Sequence, residues 1–441
     1  MPSARDRIRQ RRWEAATAAA LLVGYAGYYV CRSNLSVVAP QLLAEFQPRG
    51  FDKTTLGFVS SAGVLAYAAG KTVNGIAGDF VGGRRMFLSG MVGSVAATLV
   101  FGMSGTVAAF AIIWAINRFI QSAGWSALVK IAAHWFAPAR YGRLMGLLSL
   151  SFLFGDAAGR LVLGALVTYG AGWRMVFLAS AAMLAAIAAG CAIVLRESPR
   201  DVGLPEPPVS PRNVYAEAGA TSRPAGVADL VIPYVRNPAF WLVCIVALGL
   251  TLVRESFNAW TPTYLVDVYG LEPGDAAQKS SLFPFVGGVS VLCVGLVSDR
   301  TRMHRLALAV PFLAGGVLAL AAIGSRPAVH NQGLGLALLS AVAFCLIGPY
   351  SLLAGAIAVE LGGRRGSATA AGLIDTAGYV GAVLSGAAIG MLVQHDGWTT
   401  VFRLLAFVTA LSAVACILCC VERRVAESAA AASEGSRAHA R

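Results

Sequence analysis

The stretch GYAGYYVCRSNLSVVAP, residues 24–40, is apolar along most of its length but carries Arg32 in its middle. An arginine stays protonated in any protein environment. Near the centre of a membrane-spanning helix such a charge costs roughly 2.5 to 3.5 kcal/mol on insertion scales. If this stretch crosses a bilayer, something must therefore compensate the charge of Arg32.

The composition of the whole chain indicates a polytopic membrane protein. Of 441 residues, 57% are hydrophobic and only 13% are charged, and the mean hydropathy is +0.68, which is too apolar for a soluble domain of this length. Apolar stretches of about 20 residues predict spanning helices, since barrel strands are shorter. We predict an all-α protein with twelve spanning helices, at residues 14–40, 54–78, 86–105, 107–131, 143–168, 173–196, 238–266, 280–298, 306–324, 333–359, 367–393 and 398–421.

The chain contains two copies of one plan, because short motifs recur in the same order at an offset of about 220 residues. They are Arg32, Pro40 and Glu45 with Arg254, Pro262 and Asp267; GIAGD (75–79) with GLVSD (295–299); and GWRMVF (172–177) with GWTTVF (397–402). Six helices per copy is an even number, so both copies enter the membrane in the same direction. This predicts two six-helix bundles related by a parallel pseudo-two-fold axis.

The predicted domains are an amino-terminal bundle (1–196), a Pro- and Gly-rich linker (197–237), a carboxy-terminal bundle (238–423) and a tail (424–441). Lys and Arg concentrate in the loops on the side of the amino terminus, which predicts that both termini are cytoplasmic. We expect a monomer in the plasma (inner) membrane. The net charge of +13 follows this loop distribution, so we expect a lipid bilayer around the protein and no nucleic acid.

The charges inside the predicted helices identify a candidate anion site. Equivalent residues face each other across the pseudo-two-fold axis, so Arg32 and Arg254 are expected to meet at mid-membrane depth. A planar guanidinium holds phosphate or carboxylate with two hydrogen bonds, and Lys71 would add a third charge. Tyrosine hydroxyls are further candidate donors, with helix packing as the alternative; they are Tyr25, Tyr28, Tyr29 and Tyr379.

Acidic residues in the helices have several interpretations. Asp156 and Arg160 are four residues apart and are expected to neutralise each other. Glu255 adjoins Arg254, but neighbours on a helix point about 100° apart, so it is not expected to cancel that arginine. Asp375 is either a cross-helix partner of a central cation or a contact to the substrate.

Two acidic residues near helix ends are candidates for a gate. We expect Asp79, with Arg84 and Arg85 after it, and Asp299, with Arg300 after it, to form inner-face contacts that open and close, with static loop anchoring as the alternative. The five histidines are dispersed, and no nucleophile, metal set or nucleotide fingerprint is evident. The sequence therefore predicts no metal, no cofactor and no enzyme activity.

Several stretches resemble a known family. GIAGDFVGGRR (75–85) and NRFIQSAGW (117–125) are similar to motifs of the major facilitator superfamily. Within it the chain resembles the organophosphate:phosphate antiporters, through GYAGYYVCRSNLSVVAPQLLAEF (24–46), LGFVSSAGVLAYAAGK (56–71), QSAGWSALVKIAAHWF (121–136), WTPTYL (260–265) and GSATAAGLIDTAGYVG (366–381).

This resemblance implies a major facilitator fold and exchange of an organic phosphate or phosphonate for inorganic phosphate by alternating access. It implies that Arg32 and Arg254 bind the phosphoryl group beside Lys71, and that Arg118 belongs to the gate. Ser151 stands where related glycerophosphate transporters commonly carry a histidine. Because Glu255 and Asp375 add acid, a substrate with a cationic group, such as an aminoalkyl phosphonate or phosphoamine, is one hypothesis.

Two other functions fit the same residues. One is a proton-coupled symporter of organic anions (carboxylates) with the same fold, although such symporters typically lack the equivalents of Lys71 and Arg254. The other is a sensor that binds sugar phosphate without transporting it.

Overall fold

The computed structural model describes residues 4–49, 53–208, 210, 213–215, 224–271, 279–301, 305–325, 328 and 330–439. Parts of the predicted linker (209, 211–212 and 216–223) and the last two residues of the predicted tail lie outside this range. The described part is helical. Its helices are α1 (Ala4–Phe46), α2 (Lys53–Val81), α3 (Gly83–Met103), α4 (Val107–Gln121), α5 (Ala123–Trp135), α6 (Tyr141–Thr168), α7 (Trp173–Val194), α8 (Val227–Val235), α9 (Pro238–Tyr269), α10 (Leu282–Arg300), α11 (Arg305–Ile323), α12 (Gln332–Leu352), α13 (Ala358–Leu384) and α14 (Ala387–His439).

Nine helical stretches of the described part are long and apolar enough to cross a membrane. One of them, Gln332–Leu384, has 53 residues and holds one predicted span and most of the next. Helices α1 and α2 are outside the nine, because Arg32 and Lys71 lie within their apolar parts and lower their hydropathy. The helices thus cover all twelve predicted spans.

The described residues form two compact units by their contacts. The first contains Met1–Pro233 and Ala354–Thr376, and the second contains Tyr234–Leu353 and Ala377–Arg441. Residues 354–376 therefore belong to the first unit, although they follow helices of the second half in the sequence. The domain boundaries predicted from the sequence stay a prediction.

In the first unit, α1 packs against α6 and α7, α2 against α4, and α3 against α4, α5 and α7. Small residues permit close approach of helices, as at Gly155, where a Cβ would overlap the backbone of Ala26. An aromatic cluster fills one end of the unit. Its rings lie 4.4 to 6.4 Å apart between centroids, and they are Phe46, Phe101, Phe110, Trp114, Trp173 and Phe177.

In the second unit, α9 packs against α12 and α14, α10 against α12, and α11 against α12 and α14. The rings of Phe257 and Phe283 stack at 5.0 Å. A π-helical segment, Leu353–Ile357, follows α12 and leads into residues 354–376 of the first unit. Helix α13 bends at Gly363, whose φ of 53° lies in the left-handed region that favours glycine.

Equivalent residues of the sequence repeat make the same contact within each unit. In the first, Trp173 Nε1 donates to a Glu45 carboxylate oxygen at 2.6 Å. In the second, Trp398 Nε1 donates to an Asp267 carboxylate oxygen at 3.1 Å. The repeated motifs thus correspond to a repeated structural contact.

Candidate functional site

Three cations of the first unit surround one buried aromatic ring, that of Tyr67 on α2, which is 1% exposed. The guanidinium carbons of Arg32 and Arg118 lie 4.5 Å and 4.6 Å from the ring centroid. Lys71 Nζ lies 5.0 Å from the same centroid. The negative face of an aromatic ring attracts cations at such distances, so Tyr67 organises the cluster formed by Arg32, Lys71 and Arg118.

Gln121, at the end of α4, holds both guanidiniums of this cluster. Its side-chain oxygen accepts from Arg32 Nε at 3.5 Å and from Arg118 Nη1 at 3.4 Å. Its amide nitrogen donates to Ser94 Oγ at 3.0 Å and to Asn117 Oδ1 at 3.1 Å. These bonds fix the orientation of the amide, so its oxygen is directed at the arginines.

Lys71 has a carboxylate partner on another helix. Its Nζ lies 2.6 Å from Asp375 Oδ2 on α13, and the side chains are 3% and 13% exposed. Of the two roles expected for Asp375, the structure shows the cross-helix partner of a central cation. Together Arg32, Lys71, Arg118 and Asp375 still carry a net positive charge.

The contact of α2 with the 366–376 part of α13 is unusually close. A Cβ on Gly75 would lie 3.0 Å from the Cα of Gly372, and the hydroxyls of Thr72 and Thr376 are 2.8 Å apart. The backbones of these helices touch because neither glycine has a side chain. The ion pair of Lys71 is thereby placed at a seam between two helices.

A cavity of about 280 Å³ adjoins the cluster. Arg32 and Arg118 line it, with the hydroxyls of Ser36 and Ser60 and the ring of Trp114. The guanidiniums of Arg32 and Arg118 offer charged hydrogen-bond donors to an anion in this cavity. Chemically, this arrangement is suited to a small oxyanion.

The predicted tyrosines of α1 have different environments. Tyr28 is buried, and its hydroxyl donates to the Phe87 carbonyl at 2.6 Å, so the structure gives it a packing role. The Tyr25 ring packs against Trp125 with centroids 5.3 Å apart. Tyr29 contacts the cluster directly, with Arg32 lying 4.2 Å over its ring.

Two further candidates lie apart from the contacts described so far. The hydroxyl of Ser151 is buried and donates to the carbonyl of Leu148 on its own helix. Tyr379 belongs to the second unit and is partly buried on α13. Their roles toward a substrate stay predictions.

Arg254 lies in the second unit and has its own partners. Its guanidinium pairs with the carboxylate of Glu255 and lies 4.3 Å over the ring of Tyr350. The expectation that Glu255 would not neutralise Arg254 is wrong. Both side chains are long enough to bend toward each other across the helix surface, although their Cβ atoms point apart. In the first unit the expected pair of Asp156 and Arg160 is confirmed, at 2.8 Å.

The expected gate residue Asp79 has a buried lysine as its ion-pair partner. It pairs with Lys130 of α5 at 2.7 Å and accepts from the Thr369 amide at 2.8 Å. Lys130 also donates to the carbonyls of Arg364 and Arg365. Sequence reasoning did not identify Lys130 as a partner of Asp79, and the gating role of Asp79, Arg84 and Arg85 stays a prediction.

Arg84 and Arg85, predicted beside the gate, line the same cavity as Asp79. Arg84 Nε donates to the Leu195 carbonyl at 2.7 Å, and Arg85 is exposed. In the second unit Asp299 pairs with Arg305 at 3.4 Å, whereas Arg300 is exposed. Arg118, expected at the gate, lies in the cluster around Tyr67.

Sequence reasoning did not single out Tyr67 and Gln121. A signal existed for Tyr67, which precedes Lys71 by four residues and so lies on the same helix face. Gln121 follows Arg118 by three residues on α4, which also brings the two side chains together.

Comparison with known proteins shows the family. Residues 21–386 match the model of the Major Facilitator Superfamily. Because this match covers most of the chain, the protein belongs to that superfamily; it is a transporter-family protein and not an enzyme. The predicted all-α fold of two six-helix bundles is confirmed by this match.

Curated relatives cover nearly the same length. The glycerol-3-phosphate transporter of Bacillus subtilis is 29% identical over 398 residues, covering 87% of each chain. A probable hexose phosphate transport protein of Chlamydia pneumoniae is 26% identical, covering 88% of this chain and 87% of its own. A membrane sensor protein of Salmonella typhimurium is also 26% identical, covering 92% and 91%. These relatives confirm the resemblance to the organophosphate:phosphate antiporters.

Among solved structures, a bacterial homologue of the iron transporter ferroportin in its outward-facing state has a TM-score of 0.70. It is 16% identical, covering 92% of this chain and 99% of its own. At this identity the likeness shows the fold alone.

Proposed function

We propose that this protein exchanges an organic phosphate or phosphonate for inorganic phosphate by alternating access. The observation that carries the proposal is the cluster around Tyr67, where three cations meet one carboxylate next to a cavity lined by Arg32 and Arg118. The names of the relatives, which include glycerol-3-phosphate and hexose phosphate transport proteins, support phosphate as the anion. We place the protein in the inner membrane, as a monomer with both termini in the cytoplasm.

In this proposal Arg32 and Arg254 both bind the phosphoryl group. Each guanidinium lies over an aromatic ring, Tyr29 for Arg32 and Tyr350 for Arg254, so the ring contacts the face of the guanidinium; at its N–H edge Arg32 donates to Gln121 and Arg254 to Glu255. A dianion offsets positive charge that a dry, closed site would otherwise leave uncompensated. An empty carrier therefore closes poorly, and exchange is favoured over net flow.

The ion pairs of Glu255 and Asp375 support a substrate without an amino group. The hypothesis of a cationic substrate group arose because Glu255 and Asp375 add acid to the site, and both pair with cations of the protein, Arg254 and Lys71. The proposed substrate class is thus an organic phosphate or phosphonate without a required cationic group.

Countertransport tests this function. The purified protein is reconstituted in vesicles loaded with labelled inorganic phosphate, and external organic phosphates and carboxylates are screened for release of label without a pH gradient. Release by phosphate esters supports the exchange. Uptake of carboxylates that requires a pH gradient, or binding of sugar phosphate without any release, would contradict it and would indicate the symporter or the sensor respectively.

Arg32→Lys and Arg254→Lys test the two arginines. We expect each to lower the exchange rate at least about tenfold, because lysine keeps the charge but loses the paired hydrogen bonds of the guanidinium, which are worth about 1.5 to 3 kcal/mol to a charged group. Arg174→Lys is the matched control, since Arg174 is an exposed arginine paired with Glu45. Near wild-type exchange in either central variant would refute the assignment.

A further inference from the structure

A second, larger cavity of the first unit lies beside the turn between α2 and α3, on the predicted cytoplasmic side. Its volume is about 960 Å³. The end of α7 and residues 364–365 form other parts of its wall. Six arginines and one lysine line it, against four carboxylates, so the lining carries an excess of positive charge. We call it the arginine-lined cavity.

The carboxylates of this cavity are already engaged by the protein. Glu197 accepts from the backbone amides of Gly83 and Arg84, each at 2.7 Å, and so caps the amino terminus of α3. Glu206 pairs with Arg364 at 2.6 Å. Asp79 is held by Lys130, as described above. The acids therefore do not neutralise the remaining arginines.

Three arginines of the cavity lack a carboxylate. In the described part of the chain, no ion pair involves Arg84, Arg85 or Arg196. Arg84 and Arg196 donate to backbone carbonyls at the end of α7, those of Leu195 and Ile193 among them. Arg85 is exposed. Carbonyl bonds orient two of these guanidiniums without cancelling their charge.

Arg364 adds an independent observation, a buried donor without a partner in the described part of the chain. The residue is 8% exposed and lines the cavity, and among the described residues its Nε has no hydrogen-bond partner. A buried donor without a partner is costly. Beside the cations, the side chains of Phe80, Val81 and Ile193 are exposed, so the cavity has an apolar edge as well as a charged wall.

We propose that the arginine-lined cavity binds a phosphate group, carried either by an anionic phospholipid or by a soluble phosphate. Arginine suits phosphate because its planar fork donates two parallel hydrogen bonds. The cavity is separate from the cluster around Tyr67, and the inference does not depend on the proposed exchange.

Soluble phosphate is tested by calorimetric titration of inorganic phosphate into detergent-purified protein. The background is Arg32→Gln with Arg254→Gln, so that the proposed transport site does not contribute. In that background we expect residual binding, and we expect Arg85→Gln with Arg196→Gln to weaken it at least about tenfold, since each removed guanidinium loses charge-assisted hydrogen bonds. Arg236→Gln, which removes an exposed arginine from outside the cavity, is the matched control.

The lipid is tested on the protein without the central substitutions, in nanodiscs of phosphatidylcholine alone or with one quarter phosphatidylglycerol. Native mass spectrometry counts the phosphatidylglycerol retained after release from the disc. Loss of retained lipid in the Arg85→Gln, Arg196→Gln variant assigns the cavity to a lipid headgroup, and loss of phosphate binding alone assigns it to a soluble ligand.

If neither probe binds more weakly to this variant than to the Arg236→Gln control, the inference is overturned. The exchange proposal is then untouched, because it is judged by Arg32→Lys and Arg254→Lys. The single variant Arg85→Gln, which alters only an exposed side chain, gives a second measurement should the double variant lose its thermal unfolding transition. In it we expect weaker binding in the same direction.

Discussion

Arg32 and Lys71 lie near each other around the ring of Tyr67 but are stabilised by different chemistry. Lys71, a compact point charge, has a carboxylate 2.6 Å away. Arg32 lies over the rings of Tyr29 and Tyr67 and donates to a neutral amide, that of Gln121. A planar, weakly hydrated guanidinium stacks on aromatic rings in a way that an ammonium does not. The two positions are therefore not interchangeable between arginine and lysine.

The pair of Lys71 and Asp375 gives a prediction about stability. Asp375→Asn leaves Lys71 buried without its carboxylate, and we expect a loss of about 3 to 5 kcal/mol in unfolding free energy. The double variant Lys71→Met, Asp375→Leu should recover most of this loss, because no buried charge remains. Denaturant or thermal unfolding in detergent measures both.

Asp156→Asn is the control for that experiment. It breaks an ion pair whose side chains are 54% and 37% exposed, and such i,i+4 pairs contribute only about 0.3 to 0.5 kcal/mol. If Asp375→Asn cost no more than Asp156→Asn, Asp375 would not be a structural partner of Lys71.

At the scale of residues, the important charges could be identified from the sequence more easily than the residues that contact them. Arg32 and Lys71 stand out because a cation is conspicuous in an apolar helix. Tyr67 and Gln121 do not, since aromatic and amide side chains are common in such helices and only the packing of α1, α2 and α4 brings them together. Glu255 was misjudged because Cβ directions alone neglect the reach of long side chains.

At the scale of helices, the contact between α2 and α13 depends on two glycines. Gly372→Val would place a branched side chain against the backbone of Lys71 and Gly75. We expect this overpacking to cost about 1 to 3 kcal/mol and to weaken the bond between Thr72 and Thr376. Thermal unfolding measures the loss.

Gly164→Val is the matched control, because a Cβ at Gly164 meets nothing within 4 Å. Its unfolding transition should stay close to that of the parent protein. A Gly372→Val variant as stable as Gly164→Val would show that α2 and α13 do not need to touch.

The positions of the helices could be predicted from the apolar stretches, whereas the ends and bends of the helices could not. The first span is predicted from residue 14, but α1 begins at Ala4. A helix can continue beyond the apolar stretch through charged residues, and a hydropathy profile does not detect that extension. The bend at Gly363 leaves no mark in a hydropathy profile either. The assignment of residues 354–376 to the first unit depends on tertiary contacts alone.

At the scale of the whole molecule, the repeat predicts paired effects in the two halves. Trp173→Phe removes the bond to Glu45, and Trp398→Phe removes the equivalent bond to Asp267. A hydrogen bond to a charged group contributes about 1.5 to 3 kcal/mol when it is well formed. We expect both variants to be destabilised in thermal unfolding, Trp173→Phe more strongly, because its bond is shorter and Trp173 is buried. The opposite order would contradict this account.

The proposed orientation is also tested on the whole molecule. Epitope tags at the two termini should both be cleaved by protease in inside-out vesicles and both be protected in intact cells. This follows from the concentration of Lys and Arg in the loops on one side. Cleavage of one tag from each side would require an odd number of spans and would overturn the topology.

The backbone contact between α2 and α13 affects how easily these two helices could part. Interlocked side chains must change rotamer and repack before two surfaces separate, whereas a contact between two glycines needs no change of rotamer. Resistance to parting then comes chiefly from the polar bridges of Lys71 with Asp375 and of Thr72 with Thr376, which incoming water can replace. Such a contact between helices can be broken and formed again without side-chain repacking.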